Sequence, residues 1–244
     1  TQTRGIGLVE VVWQLMSAII DQRIKANVEF HDGVHGIRAR RGTGTCTLEA
    51  KLRMQQAACV DKTLYQVFLD LTKAYDTLDR GRALEILQQY GVGPNIICLL
   101  ERYWLHQEMV PRQAGFYGEP FGPERGVTQG DIISPTIFNI MVDAVLRIWY
   151  EMMNPNVAEA VIAEIMATFY ADDGRIAGTD PVKIQESLSL MTALFERVGL
   201  NMSVVKTKTM ISCGNYQNHK MSDIAYKRRM TCLLYTFLSP RYRT

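Results

Sequence analysis

Ile165-Met-Ala-Thr-Phe-Tyr-Ala-Asp-Asp-Gly-Arg-Ile-Ala-Gly178 is two short apolar arms around Ala-Asp-Asp-Gly. Apolar arms flanking such a polar, glycine-bearing step predict a β-hairpin. The aspartates either build the turn, as aspartates before glycine commonly do, or bring carboxylates to the end of a sheet. Upstream, Leu64-Tyr-Gln-Val-Phe-Leu-Asp-Leu71 is short, apolar and bounded by polar residues, which predicts a buried strand with Asp70 near its end.

Around these strands the spacing is helical. Val9, Val12, Trp13, Met16, Ile19, Ile20 and Ile24 predict an amphipathic helix over 8–28, followed by a Gly- and Arg-rich loop over 33–44 and a helix from about 45 to 59. Leu84, Leu87 and Tyr90 predict another, stopped at Gly91. The stretch 112–130 is rich in Gly and Pro and predicts turns and short strands. Ser134-Pro135 opens a long helix that is apolar on more than one face and so expected to be deeply buried. Asp180-Pro181 caps a last helix that Gly199 ends. Helices outnumber dispersed strands, so the expected class is α+β, a mainly antiparallel sheet with helices packed on one face.

The 244 residues are 47% hydrophobic and 21% charged, ordinary for a folded protein, and net charge is +2. Local charge says more. Arg38, Arg40 and Arg41 cluster in one loop, and Lys220, Lys227, Arg228, Arg229, Arg241 and Arg243 face a single acid, Asp223. Such patches suit a phosphate partner, although solvated basic faces are as common. Five dispersed cysteines without a CxxC pair predict reduced thiols rather than disulfides or zinc. No signal peptide and no run of about 18 apolar residues is found, so the expectation is an intracellular protein, cytoplasmic or nuclear, without a membrane partner. The first residue is Thr1 rather than Met, which suggests a fragment.

Asp70 at a strand end and Asp172-Asp173 on a hairpin would meet if the two strands were neighbours in one sheet. Three such carboxylates repel unless cations lie between them. Mg²⁺ is the natural choice, being hard and oxygen-seeking. Two ions about 3.5–4 Å apart would clamp an in-line displacement at phosphorus. The plainer roles are a turn for Asp172-Asp173, a strand terminator for Asp70, and helix caps or surface groups for Asp76 and Asp79.

Val67-Phe-Leu-Asp-Leu-Thr-Lys-Ala-Tyr-Asp76 resembles motif A of the reverse transcriptases of non-LTR retrotransposons and group II introns. Arg125-Gly-Val-Thr-Gln-Gly-Asp-Ile-Ile-Ser-Pro135 with Phe138 resembles motif B, Phe169-Tyr-Ala-Asp-Asp173 motif C, and Gly199-Leu-Asn-Met-Ser-Val-Val-Lys-Thr207 motif D. Arg4-Gly-Ile-Gly7 and Gly36-Ile-Arg-Ala-Arg-Arg-Gly-Thr43 are similar to the two blocks of the fingers that precede motif A. Six blocks in the family's order cover nearly the whole chain.

The resemblance implies a right-hand polymerase: RNA-directed DNA polymerization by two-metal phosphoryl transfer, with Mg²⁺ as cofactor and Mn²⁺ able to substitute. It implies an RNA template, a DNA primer and dNTPs as partners. Asp70, Leu71 (through its carbonyl), Asp172 and Asp173 would hold the metals, and Lys206 would protonate or steady the departing pyrophosphate. Tyr75 would stand beneath the incoming sugar and exclude a 2′-hydroxyl; its plainer role is a core tyrosine. Gln129 and Gly130 would floor the nascent base pair, glycine permitting close backbone approach. Arg4 would grip the triphosphate, while Arg38 and Arg41 would either hold template phosphate or lock the fingers loop. The implied blocks are fingers over 1–63 and 78–133, palm over 64–77 and 134–213, and a basic tail over 214–244 without a recognisable thumb. Ser203 departs from the family's usual asparagine, which puts the local turn in doubt. Two other classes fit less well: a catalytically inactive remnant or maturase-like RNA-binding scaffold, and an RNA-dependent RNA polymerase, which usually has Gly-Asp-Asp at the hairpin and an acid where Tyr75 stands.

Overall fold

A computed structural model describes residues 6–113, 115–153 and 165–212. Backbone proximity divides the chain into two units: 1–30, 73–144 and 197–200 form one, and 31–72, 145–196 and 201–244 the other. These units are cut by contact, not by the fingers and palm blocks.

The second unit is built on an antiparallel sheet. Its strands are β1 (Leu64–Thr72), β4 (Ile165–Tyr170), β5 (Asp173–Gly178), β6 (Asn201–Met202) and β7 (Lys208–Ser212), in the order β4-β5-β1-β6 with β7 also on β1. β1 is central. One edge pairs with β5 from Tyr65 to Asp70, and the other pairs with β7 from Leu64 to Phe68 and with β6 at Leu71 and Thr72. β4 and β5 form the expected hairpin, Tyr170 opposite Asp173, leaving Ala171 and Asp172 as a two-residue turn. Only Ala171 of the two carries a positive φ, 54°, as in type II′ hairpins. The outer edge of β4 is covered by segment 31–36: Val34 bridges Phe169, the Phe169 amide donates to Gly33 O and the His35 amide to Phe169 O. A covered edge offers no template for foreign strands.

The pleat sorts the side chains into two faces. Val67, Leu69, Ile176, Ala167 and Phe169 are buried on the face where the Phe169 ring meets Phe195 of the helix α7 (Pro181–Arg197), centroids 5.4 Å apart. The other face carries Leu64, Gln66, Phe68 and Asp70 on β1, opposite Ala177, Arg175 and Asp173 on β5. Here the helix α2 (Thr43–Cys59) adds a partial cover to the single helical layer expected from sequence, packing Ala57 and Met54 on Leu64 and Ala177. The far end of this face stays open: Phe68 is 39% exposed, and Tyr170 and Asp173 are exposed.

Gly174, which reads in sequence as a turn residue, lies within β5 opposite Phe169. A Cβ there would stand 2.4 Å from Phe169 Cε1 and 2.6 Å from Cζ. Glycine is required because the buried ring crosses the strand at that point. Gly174→Ala is therefore expected to destabilise the fold by about 1–3 kcal/mol, as overpacking does, read as a lowered urea midpoint at unchanged m-value; an unaltered midpoint would show that Phe169 yields freely.

The first unit contains helices α1 (Val11–Asn27), α3 (Ala74–Thr77), α4 (Arg80–Gln89) and α5 (Pro94–Leu105), the small hairpin β2–β3 (Arg112–Gln113, Phe116–Tyr117), and the first part of α6 (Ser134–Met153). Asp79 caps α4 by accepting from the Arg82 amide at 2.9 Å. Pro94 opens α5, which the periodicity had not marked. As expected, α6 is buried on several sides: Ile137, Phe138, Ile140, Met141 and Leu146 are each 1% exposed or less. Its polar residues are satisfied inside, Thr136 donating to Asp21 and Asp143 accepting from Tyr90 at 2.5 Å.

Candidate active site

Asp70 and Asp173 are direct cross-strand partners of β1 and β5. Opposed residues of an antiparallel pair share a face, with Cα atoms about 4.5–5.5 Å apart. The β4–β5 turn then carries Asp172 to the same end, where the Leu71 amide donates to Asp172 O at 3.3 Å. Two stretches of chain a hundred residues apart thus deliver three carboxylates to one open sheet end.

A fourth residue joins them. Between the segments of β1 paired to β7 and to β6 lie Leu69 and Asp70, and the chain bulges over this gap as the turn 203–207. The Ser203 amide donates to Asp70 O at 2.8 Å, and the Thr207 amide and hydroxyl both donate to Ser203 O, at 3.0 and 2.7 Å. The Lys206 amide lies 3.4 Å from Ser203 Oγ. Serine in place of asparagine therefore still closes this turn. Lys206 Nζ reaches Asp70 Oδ1 at 2.9 Å and Oδ2 at 3.2 Å, with the lysine side chain 56% exposed.

The donor chemistry at this end suits a hard divalent cation: Asp70, Asp172 and Asp173 present carboxylate oxygens and Leu71 a backbone carbonyl. Among the described residues no three His, Cys, Asp or Glu side chains are gathered as a metal cluster. In this arrangement both Asp70 oxygens are taken by the lysine ammonium.

The motif B residues sit in the first unit. Gly126, at φ 79°, would place a Cβ 2.5 Å from Tyr75 O, and the Val127 amide donates to the same carbonyl at 2.7 Å. The motif B turn is thereby docked on the Tyr75 segment, and the Tyr75 ring stacks on Phe138 at 5.1 Å. The Gly7 amide donates to Gln129 O, and a Cβ on Gly130 would meet Gly7 O at 2.6 Å. The close approach at Gly130 is made by the chain's own N-terminal segment.

Arg38 Nη1 donates to His31 O at 2.8 Å and Val34 O at 2.9 Å, and Arg41 donates to Asp32 O at 2.8 Å and to the Asp32 carboxylate. These bonds tie both arginines to the loop that carries them. Arg4 lies outside the described residues, as do Cys213, Cys232 and the basic tail. Cys46, Cys59 and Cys98 are free thiols. No described helix is long and apolar enough to cross a membrane.

Sequence reasoning missed two supports. Arg80 donates to Gly126 O (2.8 Å), Pro123 O (2.6 Å), Trp104 O (3.1 Å) and Gln107 Oε1 (2.6 Å), while Gln107 donates to Thr128 Oγ1 (2.7 Å). These bonds hold the motif B turn from behind. Burial lowers the Arg80 pKa from its ordinary value. Beneath the open sheet face, Arg175 is 7% exposed and donates to Gln66 Oε1 at 3.0 Å and Thr168 Oγ1 at 3.3 Å. An arginine two places after an Asp-Asp pair reads as a surface charge; only the cross-strand neighbours reveal that it is inside.

The family model for reverse transcriptase (RNA-dependent DNA polymerase) matches residues 1–234. The chain is similar to the Retrovirus-related Pol polyprotein from type-2 retrotransposable element R2DM of Drosophila melanogaster: 24% identical over 207 residues, 85% of this chain and 19% of that polyprotein. It is also similar to the Pol polyprotein from type-1 retrotransposable element R2 of Nasonia vitripennis, 30% identical over 162 residues, 64% of this chain and 15% of the polyprotein. The chain thus spans a fifth or less of the length of these relatives. The structure resembles that of telomerase from Candida tropicalis in complex with a fragment of telomeric RNA, with a TM-score of 0.61 at 12% identity over 82% of this chain and 33% of that one. That likeness shows the fold, an antiparallel sheet with flanking helices of the palm-and-fingers kind. The match across nearly the whole chain means that the chain belongs to the reverse transcriptase (RNA-dependent DNA polymerase) family.

Proposed function

We propose that this chain carries the polymerization site of an RNA-directed DNA polymerase, adding dNTPs to a primer 3′-hydroxyl along an RNA template. The family generally uses divalent metal ions; the species proposed here is a pair of Mg²⁺ ions, with Mn²⁺ able to replace them. The single observation that carries the proposal is the register of β1 on β5, which opposes Asp70 to Asp173 beside the Asp172 turn.

When bound, the ions would supply a polarised primer hydroxyl and a neutralised triphosphate. Asp70, Asp172 and Asp173 would hold them, joined by the Leu71 carbonyl. Lys206 then has two positions available. Its ammonium pairs with Asp70; with the triphosphate in place the same flexible side chain would turn to the leaving pyrophosphate and give it a proton or a charge partner. Tyr75, fixed by its stack on Phe138, presents a rigid ring suited to excluding a ribose 2′-hydroxyl. Gln129 and Gly130 would line the base-pair floor, with Gln129 O accepting from the Gly7 amide and the preceding turn held by Arg80 at Gly126 O and by Gln107 at Thr128 Oγ1. Arg4 would grip the triphosphate. The template strand would be held chiefly through its phosphates, without sequence preference and with strong salt dependence.

The test is extension of an oligo(dT) primer on poly(rA). The parent chain is expected to extend it only with Mg²⁺ or Mn²⁺, chelation should stop extension, and Asp172→Asn should abolish it. Extension by the Asn variant at the parental rate would remove Asp172 from the metal site. Cation binding by the parent without any extension would favour the inactive remnant.

A further inference from the structure

Along β4, four residues from Tyr170 and so about 13 Å from the catalytic turn, Met166 enters a cavity of about 370 Å³ that Arg41, Glu49, Arg53, His31 and Tyr150 also line. This lies at the lower end of the about 300–1,000 Å³ of small-molecule pockets. Every one of these residues belongs to the second unit.

The lining carries Arg41 and Arg53 against Asp32 and Glu49, and Arg175, which reaches Glu49 from β5, brings the cluster to three arginines and two acids. Glu49 and Arg53 are four apart on α2, acid before base, the arrangement in which a helical ion pair ordinarily forms. Glu49 favours the Arg53 charge through space, but its ion-pair contacts are with others: Oε2 lies 3.2 Å from His35 Nε2 and Oε1 3.5 Å from Arg175 Nη2. Asp32 is taken by Arg41. Arg53 is left half-buried, with no hydrogen bond or ion pair among the described residues, and desolvation lowers its pKa from the ordinary value. A half-buried guanidinium whose five donors find no acceptor among the described residues costs stability unless water or a ligand meets them. The wall around it is stiff. The Tyr150 hydroxyl accepts from the Ala167 amide at 3.1 Å, its ring lies 4.4 Å from that of His31, and Arg38 pins the carbonyls of His31 and Val34.

We propose that this cavity is a phosphodiester-binding subsite for a single nucleic-acid strand, with Arg53 as its ligand-contacting cation. A planar fork whose donors no described residue takes suits two phosphate oxygens at once, and one phosphodiester charge balances the excess of one arginine over the acids in this cluster. Arg38 and Arg41, the arginines that stand out in the sequence, are committed to the loop that walls the cavity; Arg53 is the one that reaches the ligand. That the oxyanion comes from nucleic acid rests on the polymerase assignment; the site itself rests on the cavity and the unmatched charge.

The test is binding, not synthesis. Fluorescence anisotropy with a labelled 20-nucleotide oligo(U) RNA, titrated on the full chain over a range of salt, is expected to give a Kd about three- to tenfold weaker for Arg53→Met. The slope of log K against log salt should fall by about 0.7, the loss of one single-strand phosphate contact. Arg53→Lys should recover most of the slope and part of the affinity. Phenylglyoxal labelling of the unaltered chain avoids any folding defect of a variant: Arg53 should be modified in the free protein and protected by the oligonucleotide, whereas Arg38 should stay unmodified in both. Equal Kd and slope for parent and Arg53→Met would overturn the proposal, as would protection of Arg53 by inorganic phosphate but not by RNA, which would make this a small-anion site. Loss of primer extension with intact Arg53-dependent binding would instead sink the polymerase assignment and leave the subsite standing.

Discussion

Asp70→Asn is expected to slow primer extension by about 10³-fold or more under single-turnover conditions. The substitution keeps shape and removes charge, so it tests the carboxylate as an anion. Cation-mediated stabilisation of the charge developing at phosphorus is worth several kcal/mol, and about 4 kcal/mol corresponds to 10³ in rate. Little of this loss would be structural. The backbone bond from the Ser203 amide to Asp70 O survives, and the ion pair with Lys206 is half in water, the lysine side chain 56% exposed and the aspartate 22%. Such a pair contributes at most about 1 kcal/mol, partly offset by relief of repulsion from Asp173 across the strands. Urea unfolding run beside the kinetics separates the effects: a near-parental midpoint with the large rate loss is the expected pair of results. A rate within tenfold of the parent would mean that the charge of Asp70 takes no part in the reaction.

Lys206→Met is expected to lower single-turnover extension by about 10²–10⁴-fold, the range of a lost general acid, again with little change in stability. The structure adds a second readout that a simple loss of function would not produce. Because Lys206 occupies both oxygens of Asp70 at 2.9 and 3.2 Å, a divalent ion and the ammonium compete for one carboxylate. Removing the lysine should therefore reduce the Mg²⁺ concentration needed for half-maximal extension even as the maximal rate falls. Lys206→Arg distinguishes proton donation from charge alone, since a guanidinium keeps its proton. It should fail to restore the rate, and the solvent deuterium isotope effect of the parent should be lost in both variants. Full recovery with arginine would reduce Lys206 to a charge partner; an unchanged Mg²⁺ requirement would show that the pair with Asp70 does not hold in solution.

Much of the fold was legible in sequence because burial leaves a period. The β4–β5 hairpin and β1 read as short apolar runs, α6 as a helix apolar on several faces, and α7 as a capped amphipathic helix, and each appears within a few residues of its expected bounds. β6 and β7 did not read as strands. They are two and five residues long, with several polar side chains, and they exist through backbone bonds to a central strand far away in sequence. Gly174 was misread for a related reason: its neighbour across the sheet, the Phe169 ring, is invisible along the chain. The arginines show the same limit. Clustered Arg38 and Arg41 drew attention as ligands, while no pattern in the sequence marked Arg53 or Arg175, because a charge's role depends on which partner reaches it first.

By itself, the order of amino acids determined the family, the strands that bear the aspartates and the identity of the acids, since apolar periodicity and motif spacing are properties of the chain alone. Tertiary structure alone decided that Asp70 faces Asp173, that Lys206 closes on Asp70, and that Arg53 lines a cavity with no hydrogen-bond partner among the described residues. Register and charge pairing are set by hydrogen bonds and distances between segments a hundred residues apart, and no local pattern encodes them.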